Sequence, residues 1–231
     1  MLDILKLSVV YPDKTIAVNK FTLHAESGES VALVGANGAG KTTLMLAITG
    51  ILPLAEGSVR VDNVTLGKKT LNEIRSRVGL VFQNPDDQLF TASVYDDVAF
   101  GLRNFGLPEE QTDERVTQTL EELKITHLRE RSALKLSNGE KRLAAIATVL
   151  AMQPSLLLFD EPTAFLDLKA RRNLIRLLNN LPHTKLIASH DLAFLEEVCG
   201  WAALMKNGTV FAEGKAKDLF HNEKLMEECG S

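Results

Sequence analysis

The chain has 231 residues and a formal net charge of −4, with 45% hydrophobic and 24% charged residues. This length suffices for one α/β domain, or for one such domain with a smaller helical lobe. The lack of net basic charge argues against nucleic acid as a partner, because polyanions bind surfaces rich in Lys and Arg. Cys199 and Cys229 lack the spacing of a metal motif and fit a reduced, cytoplasmic compartment.

No charged and then apolar leader opens the sequence, so secretion is not expected. The most apolar stretch, residues 143–159, is interrupted around Pro154. The interruption leaves a helical segment and a strand that are each too short to cross a bilayer. A membrane role would therefore require a partner protein.

The first thirty residues predict two strands, at 2–10 and 16–23, joined by a turn that contains Pro12. Tyr11 lies at this turn, and its position alone indicates an ordinary aromatic residue at a strand end. An apolar strand at 31–34 then leads into a glycine-rich turn, after which residues 42–51 read as a helix.

The glycine-rich turn matches the pattern G-x-x-x-x-G-K-[ST], which binds phosphate. Its glycines let backbone N–H groups converge on anionic oxygens, and the following helix points its positive end at the same place. The lysine reaches the β- and γ-phosphates, and the threonine after it is placed to ligate Mg²⁺. The sequence therefore predicts a nucleotide site formed by Gly35, Ala36, Asn37, Gly38, Ala39, Gly40, Lys41, Thr42 and Thr43.

Short strands are predicted next at 57–61 and 78–82, and the second is a continuous apolar run, as expected of a strand buried on both faces. This run ends in a polar loop at 83–88. Between residues 92 and 124 apolar residues recur at helical spacing. Such a block between strands predicts a helical lobe inserted into the α/β core.

A further helix opens at residues 136–140, where Ser137 and Glu140 have the spacing of a capping box. The rest of the chain alternates strands and helices, which predicts a mainly parallel sheet. We expect the acidic tail at 222–231 to fray. Helices are predicted at 168–178 and after His190, and strands at 156–159, 186–188, 202–205 and 209–212.

Asp160 and Glu161 directly follow the apolar strand at 156–159. In open α/β sheets ligands bind at the carboxyl ends of the strands, so these acids belong beside the phosphate loop. Asp160 is predicted to hold Mg²⁺ opposite Thr42. Glu161 is predicted to polarise the water that attacks the γ-phosphate, because a carboxylate accepts a proton without adding positive charge.

In this order the motifs resemble those of the ATP-binding subunits of ABC transporters, over nearly the whole chain. Residues 35–42 match Walker A, residues 136–140 the signature motif, and residues 156–160 Walker B. The remaining matches are Gln83 in the Q-loop, Glu161 as the catalytic glutamate, residues 165–167 as the D-loop, and His190 as the switch histidine.

The resemblance implies an α/β fold: a P-loop NTPase core with a mainly parallel sheet, an N-terminal antiparallel β subdomain and an inserted α-helical subdomain. It implies a single ABC ATPase domain over residues 1–231, with the helical subdomain at about 84–152. The implied activity is hydrolysis of ATP with Mg²⁺.

By the same likeness Tyr11 stacks on adenine, Gln83 contacts Mg²⁺ or the attacking water, and His190 binds a γ-phosphate oxygen. The signature segment caps ATP on a second ATPase subunit, either an identical copy or a paralogue. The residues implied at this shared interface are Ser137, Asn138, Gly139, Glu140 and, from the D-loop, Asp167.

Asn138 stands where the family usually has glycine. Asn tolerates positive φ better than other non-glycine residues, so the turn is expected to persist. Its side chain is expected to crowd or re-aim the γ-phosphate. We therefore expect slow hydrolysis at the composite site that this signature completes.

Residues 82–90 and 11–13 resemble the energy-coupling factor branch of the family, which takes up cobalt, nickel and vitamins. This likeness implies a transmembrane coupling subunit that docks on the loop after Gln83 and on residues 91–103. It also implies a substrate-binding membrane subunit and a peripheral location on the cytoplasmic face of the membrane. Cobalt or nickel is the first expectation for the substrate, and a vitamin such as biotin the second.

Other ATPases of this family remain as alternatives. A soluble member acting on DNA needs a long coiled coil between Gln83 and the signature, and the chain has only a compact helical block there. Members acting on ribosomes usually carry two such domains in one chain. A subunit that binds ATP without hydrolysing it would be favoured by the loss of Glu161 or His190, and both are present.

Overall fold

The computed structural model describes residues 1–230. The strands in this part of the chain are β1 Leu2–Val10, β2 Ile16–Ala25, β3 Ser30–Val34, β4 Glu56–Val61, β5 Val64–Thr65, β6 Val78–Val81, β7 Leu156–Asp160, β8 Thr184–Ala188, β9 Trp201–Lys206 and β10 Thr209–Lys215. The helices are α1 Lys41–Ile48, α2 Leu71–Arg77, α3 Val94–Asn104, α4 Glu109–Glu122, α5 Asn138–Leu150, α6 Leu168–Asn180, α7 Leu192–Val198, α8 Ala216–Phe220 and α9 Glu223–Cys229.

The strands form two sheets. The smaller one is antiparallel, with the order β2-β1-β4-β5. The larger one has the order β10-β9-β3-β8-β7-β6 and is parallel except at its edge, where β10 runs antiparallel to β9. The α/β fold predicted from sequence, with a mainly parallel sheet and an N-terminal antiparallel subdomain, is confirmed.

Strand β3 lies between two hydrophobic cores because successive side chains of a strand point to opposite faces. Val31 and Leu33 join a core made with β1, β2 and α1. Ala32 and Val34 join the other core, with helices α3 to α7. The central sheet is therefore covered on both faces, as parallel sheets require, and its strand ends are where a site is expected.

Helices α3, α4 and α5 lie between β6 and β7 in the chain and pack on one another. Three apolar residues that recur at helical spacing, Val94, Val98 and Leu102, are buried. The predicted helical run is interrupted between α3 and α4 at Gly106, which has a φ of +81°, and at Pro108. The extent of a single domain, with a helical subdomain at about 84–152, stays a prediction.

The C-terminal segment differs from its prediction. Residues 222–229 do not fray: Asn222 caps α9, and Met226 and Cys229 are buried against the larger core. The ammonium group of Lys206 on β9 donates to the carbonyl of Glu228 at 2.6 Å. These contacts across the fold override the polar composition of the segment, and Ser231 lies outside the described residues.

Two further short helices, α2 and α8, lie in segments for which the sequence predicts no helix. Within residues 1–230, every helix falls short of the length and apolarity needed to cross a membrane.

Candidate active site

The glycine-rich loop between β3 and α1 approaches its neighbours so closely that only glycine fits. A Cβ atom on Gly35 would lie 2.2 Å from the carbonyl oxygen of Met205, and one on Gly40 would lie 2.3 Å from that of Ala17. Gly38 and Gly40 have φ values of +81° and +105°, which favour glycine. The loop is thus held close against β9 and β2.

The loop opens into a cavity of about 530 Å³. Most of the residues predicted from the phosphate motif and the strand ends meet there: Tyr11, Asn37, Gly38, Ala39, Gly40, Lys41, Thr42, Thr43, Gln83, Asp160, Glu161 and His190. Gly35 and Ala36 belong to the same loop. The cavity is also lined by Thr15, Ile16 and Ala17, which sequence patterns do not predict because a turn and a strand start carry no nucleotide signal.

Lys41 is buried, and its ammonium group donates to the carbonyl oxygens of Gly35 and Ala36. Burial lowers the pKa of Lys41, while the nearby carboxylates of Glu161 and Asp160 act in the opposite direction. The ammonium group is therefore hydrogen-bonded to the loop backbone and lies close enough to Glu161 and Asp160 to interact with their charges.

Thr42 and Asp160 connect the loop to the central sheet. The Thr42 hydroxyl donates to Oδ2 of Asp160 at 2.6 Å, and Asp160 is 6% exposed at the end of β7. The two residues predicted to flank Mg²⁺ therefore contact each other directly. This contact places two oxygen ligands suited to a hard cation side by side.

Glu161 adopts a left-handed backbone, with φ at +44°, and its N–H donates to the carbonyl of Ala188 on β8. Its Oε2 atom accepts the backbone N–H of His190 at 3.2 Å. Its Oε1 atom lies 3.2 Å from Nε2 of His190 but is not aligned for a hydrogen bond, so this buried oxygen is without a partner among residues 1–230. A buried carboxylate oxygen that receives no hydrogen bond from the protein can accept a hydrogen bond from a bound water.

His190 and Tyr11 close two sides of the cavity. Nε2 of His190 lies 3.0 Å from Oδ1 of Asn37 in the loop. The Tyr11 hydroxyl lies 2.9 Å from Oγ1 of Thr43 on α1. His190 is therefore bonded to the loop, and Tyr11 to the first turn of the helix that follows it.

The signature residues do not join this cavity. Ser137, Asn138, Gly139 and Glu140 line a second cavity of about 560 Å³, together with D-loop residues that include Asp167. The phosphate loop and the signature segment of one chain thus contribute to separate openings.

The predicted capping box at the start of α5 is confirmed. Glu140 Oε2 accepts hydrogen bonds from both the N–H and the hydroxyl of Ser137, each at 2.8 Å. The bond from the Ser137 N–H holds the pKa of Glu140 below its usual value. Ser137 therefore already has a negatively charged partner within its own chain.

The expectation that Asn138 occupies a left-handed turn is wrong. Asn138 is the first residue of α5 and is absent from the positive-φ positions. Its side-chain amide donates to the carbonyl of Phe165 at 3.2 Å, and Phe165 itself has the left-handed backbone, with φ at +64°. Asn138 thus joins the signature to the D-loop, whose last residue, Asp167, caps α6.

The family model for the ABC transporter matches residues 18–164, more than half of the chain. The chain belongs to the ABC transporter family. A putative ABC transporter ATP-binding protein of Geobacter sulfurreducens is 46% identical over 229 residues, which cover 99% of this chain and 92% of that protein. The energy-coupling factor transporter ATP-binding protein EcfA of Methanothermobacter thermautotrophicus is 42% identical over 234 residues, covering 99% of this chain and 75% of that protein.

Solved structures show the same fold. The structure of cbiO1 from Clostridium perfringens, part of the ABC transporter complex cbiONQ, has a TM-score of 0.85 at 36% identity and covers 98% of this chain and 93% of that one. The ATP-binding cassette MJ0796, as a dimer in a post-hydrolysis state with ADP and Pi, has a TM-score of 0.83 at 25% identity, with 94% and 99% covered. This member of the family is therefore an ABC-type ATPase.

Asp191, which directly follows His190, has no role that sequence patterns predict. Its carboxylate caps α7 through the N–H of Phe194 at 2.9 Å and accepts two bonds from the guanidinium of Arg171, at 2.6 and 3.0 Å. Arg171 holds the pKa of Asp191 below its usual value. The pair fixes the backbone next to His190.

Asp191→Asn is expected to lower the free energy of unfolding by about 1–2 kcal/mol at pH 7, through loss of an ion pair at a helix cap. The folded-state pKa lies below the unfolded one, so this stabilisation is complete above about pH 4 and disappears as the pH falls through the folded value. Urea unfolding of both proteins across this range measures the difference. Asp218→Asn, at an exposed carboxylate on α8, is the control, and a difference that does not change with pH would contradict the assignment.

Proposed function

We propose that the chain is the ATP-hydrolysing subunit of an ABC-type importer of the energy-coupling factor class. In this proposal it closes on a second ATPase subunit around ATP and thereby drives uptake through membrane partner subunits. The observation that carries the proposal is the separation of Lys41 from Ser137 into two cavities of one chain. A second subunit can supply the half-site that each cavity lacks.

In the proposed site the loop N–H groups and Lys41 bind the phosphates of ATP. Lys41 then exchanges the carbonyls of Gly35 and Ala36 for phosphate oxygens. Tyr11 lines the same cavity and stacks on adenine.

The donor set beside Lys41 fits Mg²⁺. Thr42, Asp160 and Gln83 offer hydroxyl, carboxylate and amide oxygens around one cavity, which are the ligands this ion prefers. When bound, Mg²⁺ would neutralise negative charge on the phosphates. Asp160 would then exchange its bond with Thr42 for the cation.

Glu161 is the proposed general base. Its partnerless Oε1 atom accepts the proton of a water as the water oxygen bonds to the γ-phosphorus and the bond to the leaving ADP oxygen breaks. His190 lies against Glu161 and Asn37, where its ring binds a γ-phosphate oxygen.

The partner half-site consists of Ser137, Asn138, Gly139 and Glu140, with Asp167 beside it. Two apolar side chains next to Asp167 support an interface here, since Phe165 is 69% and Leu168 is 74% exposed. The dimeric state of the MJ0796 cassette supports the same arrangement. The partner is a second copy of this chain or a paralogue.

An aromatic pair next to the Q-loop supports docking of a membrane subunit. Phe90 is 64% and Phe100 is 45% exposed, and their rings meet edge to face at 5.0 Å. The similarity to EcfA and to cbiO1 favours a transmembrane coupling subunit as the occupant. The chain would then lie peripherally on the cytoplasmic face of the membrane, with cobalt or nickel as the first candidate substrate and a vitamin as the second.

Glu161→Gln is expected to trap an ATP-bound dimer, because the amide cannot accept the proton of the attacking water. Turnover should fall by about 10²–10⁴-fold, the usual contribution of a general base. Light scattering in saturating Mg-ATP measures the dimer, with Glu122→Gln on the exposed face of α4 as the matched control. A variant that stays monomeric yet hydrolyses ATP at the normal rate would refute the shared site.

Asn138→Gly is expected to raise turnover about threefold or more, equivalent to ~0.7 kcal/mol off the barrier, by removing a side chain from the composite site. Asn138→Ala keeps the Cβ atom while losing the amide bond to Phe165, so it separates bulk from hydrogen bonding. Steady-state ATPase assays of the assembled complex provide the comparison. Unchanged turnover in the glycine variant would count against a restraining role for Asn138.

A double change of Phe90 and Phe100 to Ser is expected to weaken capture of the membrane subunits from detergent-solubilised membranes, because the apolar docking pair is lost. Phe211→Ser, at an exposed phenylalanine of the edge strand β10, is the control. Quantitative mass spectrometry of the captured proteins provides the readout. Recovery of ribosomal or DNA-bound partners, with no membrane protein, would contradict the proposed transport function.

The substrate is tested separately, by comparing uptake of cobalt, nickel and biotin by the complex reconstituted with its membrane subunits.

A further inference from the structure

Arg142 on α5 is a buried cation that the proposed reaction does not use. Arg142 is 1% exposed, and among the fully buried side chains of the described residues it has the largest volume. No carboxylate of residues 1–230 lies within ion-pair distance of its guanidinium. Burial alone lowers the pKa of Arg142, to about 10, so it stays protonated at neutral pH.

Both ends of this guanidinium bind one short piece of backbone. Nη1 donates to the carbonyl of Phe82 at 2.6 Å and Nη2 donates to that of Gln83 at 2.7 Å, while the buried Nε has no partner among the described residues. Gln83 is the Q-loop residue that lines the phosphate cavity. The contact therefore runs directly from the signature helix to the Q-loop.

Burial of an unpaired charge is unfavourable, and an apolar side chain of similar size would fill the same space without that cost. Filling the core therefore does not account for Arg142. A planar guanidinium that bonds two consecutive carbonyls fixes both the position and the orientation of the peptide between them. An apolar side chain provides neither restraint.

Other polar contacts link the same two segments. Lys141 binds Asp86 at 2.6 Å, and the Gln88 amide donates to the carbonyl of Ala145 and to Thr148 at 2.8 and 2.7 Å. These bonds attach the later part of the Q-loop to α5. Arg142 is the contact that reaches Gln83 itself.

We propose that Arg142 is a positioning residue that makes the Q-loop and the signature helix move together. When ATP occupies the cavity at the glycine-rich loop, Gln83 shifts in response. Through Arg142 this shift sets the position of Ser137, which the chain presents to the second subunit. This inference rests on the proposed function, because it requires that the two half-sites meet in a dimer.

The dimer test uses Glu161→Gln as the parent, with Arg142→Met and Arg142→Lys added to it. Arg115→Met is the matched control, because Arg115 also donates to a backbone carbonyl, that of Ala151, but not in the Q-loop. A fluorescent ATP analogue measures nucleotide binding, and light scattering measures dimer formation against ATP concentration. The methionine variant is expected to bind nucleotide within about twofold of the parent yet to require about tenfold more ATP to dimerise. The lysine variant can bond only one of the two carbonyls at full strength, so the ATP concentration it needs to dimerise should lie between those of the parent and of the methionine variant.

Dimerisation of Arg142→Met at the ATP concentration of its parent would overturn the inference, as would an equal loss of nucleotide binding and dimerisation. Failure of the Glu161→Gln parent itself to dimerise would instead contradict the proposed shared site.

Hydrogen exchange of the monomer tests the coupling without a dimer and without the methionine variant. At protein concentrations where scattering shows a monomer, ATP should slow exchange in both 82–88 and 138–150 of the wild-type chain. In Arg142→Lys the slowing should persist in 82–88 and diminish in 138–150. Equal slowing of both segments in the lysine variant, or no response of 138–150 in the wild type, would overturn the inference.

Discussion

The parallel pairing of β3, β8 and β7 is the constraint on which the site depends. These strands lie side by side with their carboxyl ends at one edge, so the phosphate loop, His190 and Glu161 follow three neighbouring strands. The hydrogen bond from Thr42 to Asp160 then connects the loop to the sheet across 118 residues of sequence. Because both faces of the sheet are covered by core, this edge is where polar groups can converge without burying unsatisfied backbone.

The cavity at the signature segment, the proposed second half-site, has a different electrostatic character. The amino end of α5 carries the partial positive charge of a helix terminus, which attracts anions. Glu140 already occupies it and takes both the N–H and the hydroxyl of Ser137. A phosphate oxygen that binds Ser137 must therefore displace or share this carboxylate. The capping box stabilises the isolated subunit, and in the proposed dimer it would oppose the approach of a triphosphate to Ser137.

Sequence patterns predicted the features whose chemistry is local. The loop glycines and the acids after a buried strand are short motifs, and the structure gathers Lys41, Asp160 and His190 into one cavity. Features set by contacts between distant segments were not predictable in this way. The bond from Asn138 to Phe165 and the docking of α9 both depend on partners far away in sequence. Arg142 reads as an ordinary polar position of an amphipathic helix until its two carbonyl partners are known.

Glu161 has an unfavourable local conformation that the surrounding fold stabilises. Its left-handed backbone costs on the order of 1–3 kcal/mol, and a buried oxygen without a donor adds a further penalty. The N–H bond from Glu161 to Ala188 and the N–H bond from His190 to Glu161 hold that conformation from both sides. Relaxing the backbone would break the first of these bonds and turn the carboxylate away from the cavity. The burial provided by the two hydrophobic cores offsets this local cost, so one oxygen of the Glu161 carboxylate can remain without a donor in the folded chain.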